Sequence, residues 1–155
     1  MNKNIVFLLI FILLPASFSH SQTSVKNGST QSISAKPGAQ TIKSSPAYAE
    51  LLLRKTERAA ELEELLLDYT EEFPRVKQIR FELNLIQKEM DKVSAVNVAE
   101  AGKLSLALGK LLVRKIELEV DLWNLKIQYN DDQADVKRAK RKIEIYDKAV
   151  KEILP

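Results

Sequence analysis

Apolar residues recur with a 3-4 spacing along the second half of the chain. One heptad-spaced series consists of Leu104, Leu111, Leu118 and Leu125. The other core position is held by Leu108, Leu122, Tyr129, Val136, Ile143 and Val150. A 3-4 pattern sustained over about seven heptads is typical of a coiled-coil helix. From Ser45 onward the pattern therefore predicts an all-α fold.

The chain also repeats itself without a gap. Residues 48–93 align with residues 108–153 at one constant offset, so that Tyr48 corresponds to Leu108. The first copy carries the same apolar stripe, and Lys55, Arg58 and Lys115 interrupt the stripes with charge. Polar residues at core positions of coiled coils can fix the register of the helices. Two copies of one helical unit thus account for nearly all of the sequence that is predicted to fold.

The segment between the copies predicts a turn. Residues 96–102 are small and weakly charged, and Asn97 and Gly102 are natural helix breakers. We therefore predict a long antiparallel helical hairpin over 47–154, with one helix at 47–95 and the other at 103–154. Charge favours this arrangement, since residues 54–72 hold seven acids against three bases and residues 137–151 hold seven bases against two acids. Folding at the turn would bring these oppositely charged segments together.

A proline interrupts the first predicted helix. Pro74 would remove a backbone hydrogen bond in a helix interior, at a cost of about 3 kcal/mol. The second copy has Ala134 there, preceded by Asn130-Asp131-Asp132, which favours helix caps over helix interiors. Because the heptad phase runs through both sites, the first interpretation is two continuous helices kinked near 70–75 and 130–135. The alternative is four shorter helices, in which each repeat forms its own hairpin.

The apolar face is wider than a two-helix contact requires. A further heptad-spaced series on the second helix consists of Leu106, Val113, Val120 and Ile127. Long apolar stripes usually pack against another helix, which predicts a homo-oligomer formed by helix packing. Trp123 could bind a partner protein of the cell envelope or pack inside the homo-oligomer.

The N-terminal region has a different composition. Residues 1–21 contain one positive charge, then an apolar run and then small residues. This order predicts a signal peptide with cleavage after Ser19 or Ser21. The apolar run is too short for a membrane span, so no transmembrane helix is expected after cleavage. Residues 22–46 are rich in Ser, Thr and Gln and predict a disordered leader. The protein is expected in the periplasm, and secretion stays open as the alternative.

The composition argues against most kinds of catalytic and metal-binding site. The chain has no cysteine, and its one histidine, His20, lies in the predicted signal peptide. Sulfur-based metal sites and imidazole catalysis are therefore excluded from the predicted fold, and we expect no catalytic, metal or cofactor site. The formal charge of +3 falls to about +2 without residues 1–21, which argues against nucleic-acid binding. The basic run at 137–142 nevertheless allows an anionic membrane or a nucleic acid as an alternative partner.

One short motif resembles a known family. Residues 65–76 read Leu-Leu-Leu-Asp-Tyr-Thr-Glu-Glu-Phe-Pro-Arg-Val, in which Tyr69, Thr70, Pro74 and Val76 are the characteristic positions, and Tyr129 and Val136 recur in the second copy. The motif resembles one in the periplasmic coiled coils of polysaccharide chain-length determinant and tyrosine-kinase-modulator proteins. The resemblance covers about a dozen residues, and Phe73 stands where that family has His. It implies a coiled coil of the cell envelope near polysaccharide export, and no activity.

Two functions are compatible with this sequence. The first is a non-catalytic structural or scaffolding protein of the cell envelope. The second is a periplasmic holdase-type chaperone or adaptor that clamps client chains.

Overall fold

The computed structural model describes residues 37–154, and these residues are organised as helices without a strand. The predicted all-α class is confirmed. The helices are α1 (Pro37–Lys43), α2 (Pro46–Asp68), α3 (Pro74–Ser94), a 3₁₀ helix (Val98–Lys103), α4 (Leu106–Gln128) and α5 (Ala134–Ile153). The bounds of α2 and α4 agree with the alignment of the two copies, since both helices begin at equivalent positions and end at equivalent positions.

Each of the two predicted long helices is interrupted. Tyr69 leaves the helical conformation at φ −125° and ψ 154°, and Tyr129 does the same at φ −132° and ψ 150°. Pro74 then occupies the first turn of α3, where its missing N–H costs nothing because the first N–H groups of a helix have no partner within it. Ala134 begins α5 in the same way. The proline therefore starts a helix.

The chain reverses direction at each interruption. Lys55 Nζ donates to Gln87 Oε1 at 2.7 Å, although a continuous helix from one residue to the other would place them about 48 Å apart. In the second copy, Lys115 Nζ lies 2.9 Å from Asp147 Oδ1. The first interpretation, two continuous kinked helices at 47–95 and 103–154, is therefore wrong. The alternative of four shorter helices describes the fold, as an α2–α3 hairpin and an α4–α5 hairpin.

Helix α4 lies at the centre of the arrangement and contacts α2, α3 and α5. It runs parallel to α2, since Gly109 lies against Ala47 and, further along, Glu117 Oε1 lies 3.4 Å from Arg54. It runs antiparallel to α3, because Trp123 stacks on Phe81 while Lys115 reaches Glu89. The turns at 69–73 and 129–133 consequently lie at the same end of the structure.

The apolar core follows from this arrangement. A main cluster joins α1, α2, α3 and α4 at the end opposite the two turns. A smaller cluster near the first turn is built from Leu62, Val76 and Ile79 of α2 and α3. The main cluster contains Ile42, Ala47, Leu51, Leu85, Ile86, Met90, Val93, Leu104, Leu108, Leu112, Ile116 and Val120.

Two serines begin the two parallel helices. The Ser45 hydroxyl accepts a hydrogen bond from the Tyr48 N–H, and the Ser105 hydroxyl accepts one from the Leu108 N–H. A side-chain acceptor of this kind satisfies one of the free donors at a helix start. The Ala47 N–H also donates to the Leu104 carbonyl at 3.2 Å, which ties the start of α2 to the start of α4.

The N-terminal predictions meet the structure only in part. The predicted signal peptide and residues 22–36 lie outside the described residues. Residues 37–43 form α1, and Ile42 is buried in the main cluster, so the prediction of a disordered leader is wrong for its final part. The predicted turn at 96–102 falls between α3 and α4, where most of it forms the 3₁₀ helix that Asn97 caps.

The expected pairing of the acidic and basic segments is not formed within this fold. Helix α5 packs on α4, and among residues 37–154 no ion pair joins α2 to α5. The reason is geometric, since back-folding of each copy places α3 beside α2 and α4 beside α5. The acidic side of α2 and the basic side of α5 therefore remain on the surface.

Candidate functional site

A groove of about 590 Å³ opens beside the connection between α3 and α4. Its apolar walls come from Val93, Val96, Leu112, Val150 and Leu154. The groove is also lined by three basic residues, Lys92, Lys115 and Lys151, and by three acidic residues, Glu89, Glu100 and Asp147. The groove therefore combines an apolar lining with balanced charge.

A buried lysine links three helices at this groove. Lys115 of α4 is only 7% exposed, and its Nζ lies 2.9 Å from Asp147 on α5 and 3.4 Å from Glu89 on α3. Glu119, one turn further along α4, lies 3.9 Å away. A buried ammonium needs such partners, because an unpaired charge in an apolar interior is strongly destabilising.

The pKa values at this cluster reflect burial and ion pairing. Burial alone would lower the pKa of Lys115, but the hydrogen bond to Asp147 and the nearby carboxylates outweigh it and raise the pKa above its usual value. Burial raises the pKa of Glu119. Hydrogen bonds from Lys151 and Lys115 lower the pKa of Asp147 to about 2. Lys115 is thus held in its charged form, as a structural ion pair requires.

The first hairpin uses the equivalent lysine differently. In the alignment of the two copies Lys55 corresponds to Lys115, and its partner Gln87 corresponds to Asp147. The contact between hairpin helices thus recurs with a neutral acceptor at a partly exposed position. Both lysines interrupt the apolar stripe of the sequence, and in the structure each connects the two helices of its own hairpin.

A second groove, of about 380 Å³, is lined mainly by charged side chains. Arg54 of α2 pairs with the buried Glu82 of α3 at 2.8 Å and with Glu117 of α4 at 3.4 Å. Arg58 pairs with Glu61 at 2.6 Å, and its Nε atom is buried without a hydrogen-bond partner. Arg54 thus holds α2, α3 and α4 together through carboxylates that the sequence pattern does not identify, whereas the Arg58 pair lies within α2.

The predicted partner-binding series is split by the fold. Val120 is buried and Val113 packs against the main cluster, whereas Leu106 and Ile127 are exposed. Trp123 is partly buried and stacks on Phe81 of α3, with the ring centroids 5.4 Å apart. The series does not form one continuous exposed surface, and Trp123 has a partner within its own chain.

The residues of the resemblance motif lie at the turn end. Tyr69 stacks on Phe73, with ring centroids 4.1 Å apart, and Thr70 accepts a backbone hydrogen bond from Phe73. Pro74 is exposed at the start of α3. Val76 and Val136 are fully buried in the first turn of α3 and of α5, and Tyr129 is half-exposed in the connection between α4 and α5. The motif therefore forms the reversal of each hairpin.

Three aliphatic residues that the heptad pattern does not select stand on outward helix faces. Leu53 and Leu67 of α2 are 57% and 84% exposed, and Ile145 of α5 is 58% exposed. Leu53, Ala60 and Leu67 follow one another at heptad spacing, and this spacing is the signal in the sequence that could have identified them. The signal is weak because the neighbouring positions are charged, as in an ordinary solvated face.

Within the described residues, no helix is both long and apolar enough to cross a membrane. Comparison of the chain with protein families, curated proteins and solved structures finds no match. The function is therefore inferred from the surfaces and contacts of this chain itself.

Proposed function

We propose that this protein is a non-catalytic, exported scaffolding or partner-binding module of the cell envelope that assembles through helix packing. The observation that carries the proposal is the set of large aliphatic side chains left on outward helix faces, above all Leu67, which is 84% exposed. Leu53, Ala60 and Leu67 recur at heptad spacing on one face of α2, and aliphatic residues at this spacing are the pattern by which helices associate in coiled coils. The signal-peptide pattern supports export, and the motif at 65–76 suggests polysaccharide export as the pathway.

The proposal includes a duplicated origin for the two hairpins. The support is that α2 and α4 share one length, a serine cap and an extended tyrosine at the end, each at equivalent positions of the two copies. The lysine contact between hairpin helices also recurs at equivalent positions. Duplication of one hairpin unit accounts for these equivalences.

Structural roles for the charged residues support a non-catalytic function. The carboxylates that are buried, Glu82 and Glu89, are each bound to a cation from a neighbouring helix. Such interhelical pairs can fix which helices meet and in which register. Their burial is thus accounted for without a substrate.

The test is the molar mass of the purified protein in solution. Light scattering over a micromolar concentration range should give a mass above that of one chain, rising with concentration. A strict monomer over the whole range would contradict the scaffold proposal.

The holdase alternative is favoured by one observation, the open groove with its apolar walls. A client segment would place aliphatic side chains against Val96, Leu112 and Val150. In that case the protein should suppress aggregation of an unfolded outer-membrane protein, and Val96→Glu should abolish the suppression. Suppression that Val96→Glu leaves unchanged would contradict this use of the groove.

A further inference from the structure

The outward faces of α2 and α5 carry opposite charge and are left without partners. On α2, one face consists of Leu53, Glu57, Ala60, Glu64, Leu67 and Asp68. Because successive residues of a helix are rotated by about 100°, these six positions fall within an arc of about 100° around the helix axis. On α5, one face consists of Ala134, Arg138, Arg141, Lys142, Ile145, Lys148 and Glu152. Every one of these residues is exposed. We call them the acidic face and the basic face.

The charges on these faces are largely uncompensated. Within residues 37–154, the side chains of Glu64 and Asp68 have no ion-pair or hydrogen-bond partner, and the same holds for Lys142 and Lys148, whereas Glu57 lies 3.9 Å from Arg54 on its own helix. Arg138 and Arg141 are bound only to the exposed Asp135 and Glu144 on their own helix. Exposed pairs of this kind contribute little stability, so both arginines can exchange partners at small cost.

Both faces also carry aliphatic residues. Leu53, Ala60 and Leu67 run along the acidic face, and Ile145 lies near the middle of the basic face. The two faces have similar lengths, about 23 Å over residues 53–68 and about 27 Å over residues 134–152. Aliphatic side chains flanked by charges of opposite sign on the two partners are the pattern by which coiled coils select a partner helix.

We propose that the acidic face of α2 docks on the basic face of α5 of a second copy of this chain. This inference rests on the proposed scaffolding function and names the surface by which copies meet. The two faces cannot meet within one chain, because α5 lies against α4 and α2 lies against α3 and α4. A second copy supplies both the missing charge and an aliphatic surface.

The test uses two charge-reversed variants. One carries Glu64→Lys with Asp68→Lys, and the other carries Lys142→Glu with Lys148→Glu. Each variant alone places like charges on both faces, which is strongly unfavourable across an interface. We expect self-association of each to weaken at least about tenfold in sedimentation velocity, and an equimolar mixture to associate again.

A matched control is Lys88→Glu with Lys110→Glu. These lysines are exposed on α3 and α4 and have no ion-pair partner within the described residues, so the change in net charge equals that of the basic-face variant. The control should associate like the wild type, and circular dichroism should show that all variants keep their helices. Raising the salt concentration should weaken wild-type association, since exposed charges are screened.

The outcomes separate this inference from the scaffolding proposal. A wild type that associates, with both variants associating equally well, overturns the docking of α2 on α5 and leaves the scaffold intact. A wild type that is monomeric overturns both. Binding to vesicles with anionic lipids serves as a further readout. If the basic face binds these vesicles and the charge reversals leave self-association unchanged, a membrane is the partner of this face and the proposal is contradicted.

Discussion

At the scale of single residues, the fold depends on a few positions where helices come unusually close or where charge is buried. Gly109 of α4 lies against the backbone of Ala47, which is fully buried at the start of α2. Lys115 holds α3 and α5 on α4 through two carboxylates. Lys115 can be identified from the sequence because it is a charged residue at a heptad position that is otherwise apolar. The sequence offers no reason to select Gly109, since the close approach arises between helices distant in sequence.

Gly109→Ala should destabilise the protein. A Cβ atom at this position would lie 3.0 Å from Ala47 Cα and 2.9 Å from Glu50 Cβ, so α2 and α4 would have to separate. Overpacking of this kind costs about 1–3 kcal/mol, which exceeds the gain of about 1 kcal/mol from replacing glycine in a helix. Urea unfolding should show the loss, whereas Gly102→Ala, whose Cβ would meet nothing within 4 Å, should show none. Equal stability of the two variants would contradict the close packing of α2 on α4.

The Asp147 ion pairs should make stability depend on acid pH. The folded-state pKa of Asp147 is about 2, below its usual value of about 3.9, so the stabilisation is present above about pH 4 and is lost as the pH falls towards 2. Asp147→Asn should therefore lower the free energy of unfolding by about 1 kcal/mol at pH 7, after allowance for screening at a partly exposed group. The difference from wild type should shrink between about pH 4 and pH 2. The control Glu144→Gln alters an exposed pair and should have little effect; a pH-independent loss in Asp147→Asn would argue against the ion pair.

At the scale of secondary-structure elements, the turns decide the fold. The sequence indicates interruptions near 70–75 and 130–135 because proline and an Asn-Asp-Asp run are poor in helix interiors. It does not indicate that the chain reverses there, because the heptad phase from Tyr69 to Val76 is preserved either way. The reversal follows from tertiary contacts, namely the burial of Val76 and Val136 and the pairing of Lys55 with Gln87. Periodicity predicts the helical class but not which helices pair.

Pro74→Ala should leave the helix content unchanged. Proline at the first turn of α3 removes no helical hydrogen bond, and Ala134 occupies the equivalent position of α5. Without the proline ring the unfolded chain has more conformational entropy, which should lower the free energy of unfolding by about 0.4–1 kcal/mol. Far-ultraviolet circular dichroism and thermal unfolding measure the two effects.

The reciprocal variant Ala134→Pro should be tolerated and stabilise by a similar amount. Gln133 before it has φ −63° and ψ 141°, a conformation that suits a residue preceding proline. A rise in helix content in Pro74→Ala would mean that the proline bends a continuous helix, and would contradict the turn.

At the scale of the whole molecule, back-folding of each repeat determines which surfaces remain free. The sequence predicts that acidic and basic segments meet within one hairpin, whereas the structure leaves the acidic face of α2 and the basic face of α5 outward. The predicted apolar series is divided in the same way, because Val113 and Val120 turn inward while Leu106 and Ile127 stay exposed. The proposed association of copies therefore depends on the two-hairpin arrangement.

The distance between α2 and α3 tests this arrangement most directly. Because the chain has no cysteine, Thr56→Cys with Lys88→Cys gives unique sites for spin labels at two exposed positions. Packed neighbouring helices lie about 8–10 Å apart, so the labels should be separated by roughly 15–25 Å in an electron double-resonance measurement. A continuous helix would place these residues about 48 Å apart. A distance distribution centred at the shorter value is the predicted result, and one centred at the longer value would contradict the two-hairpin fold and the surfaces derived from it.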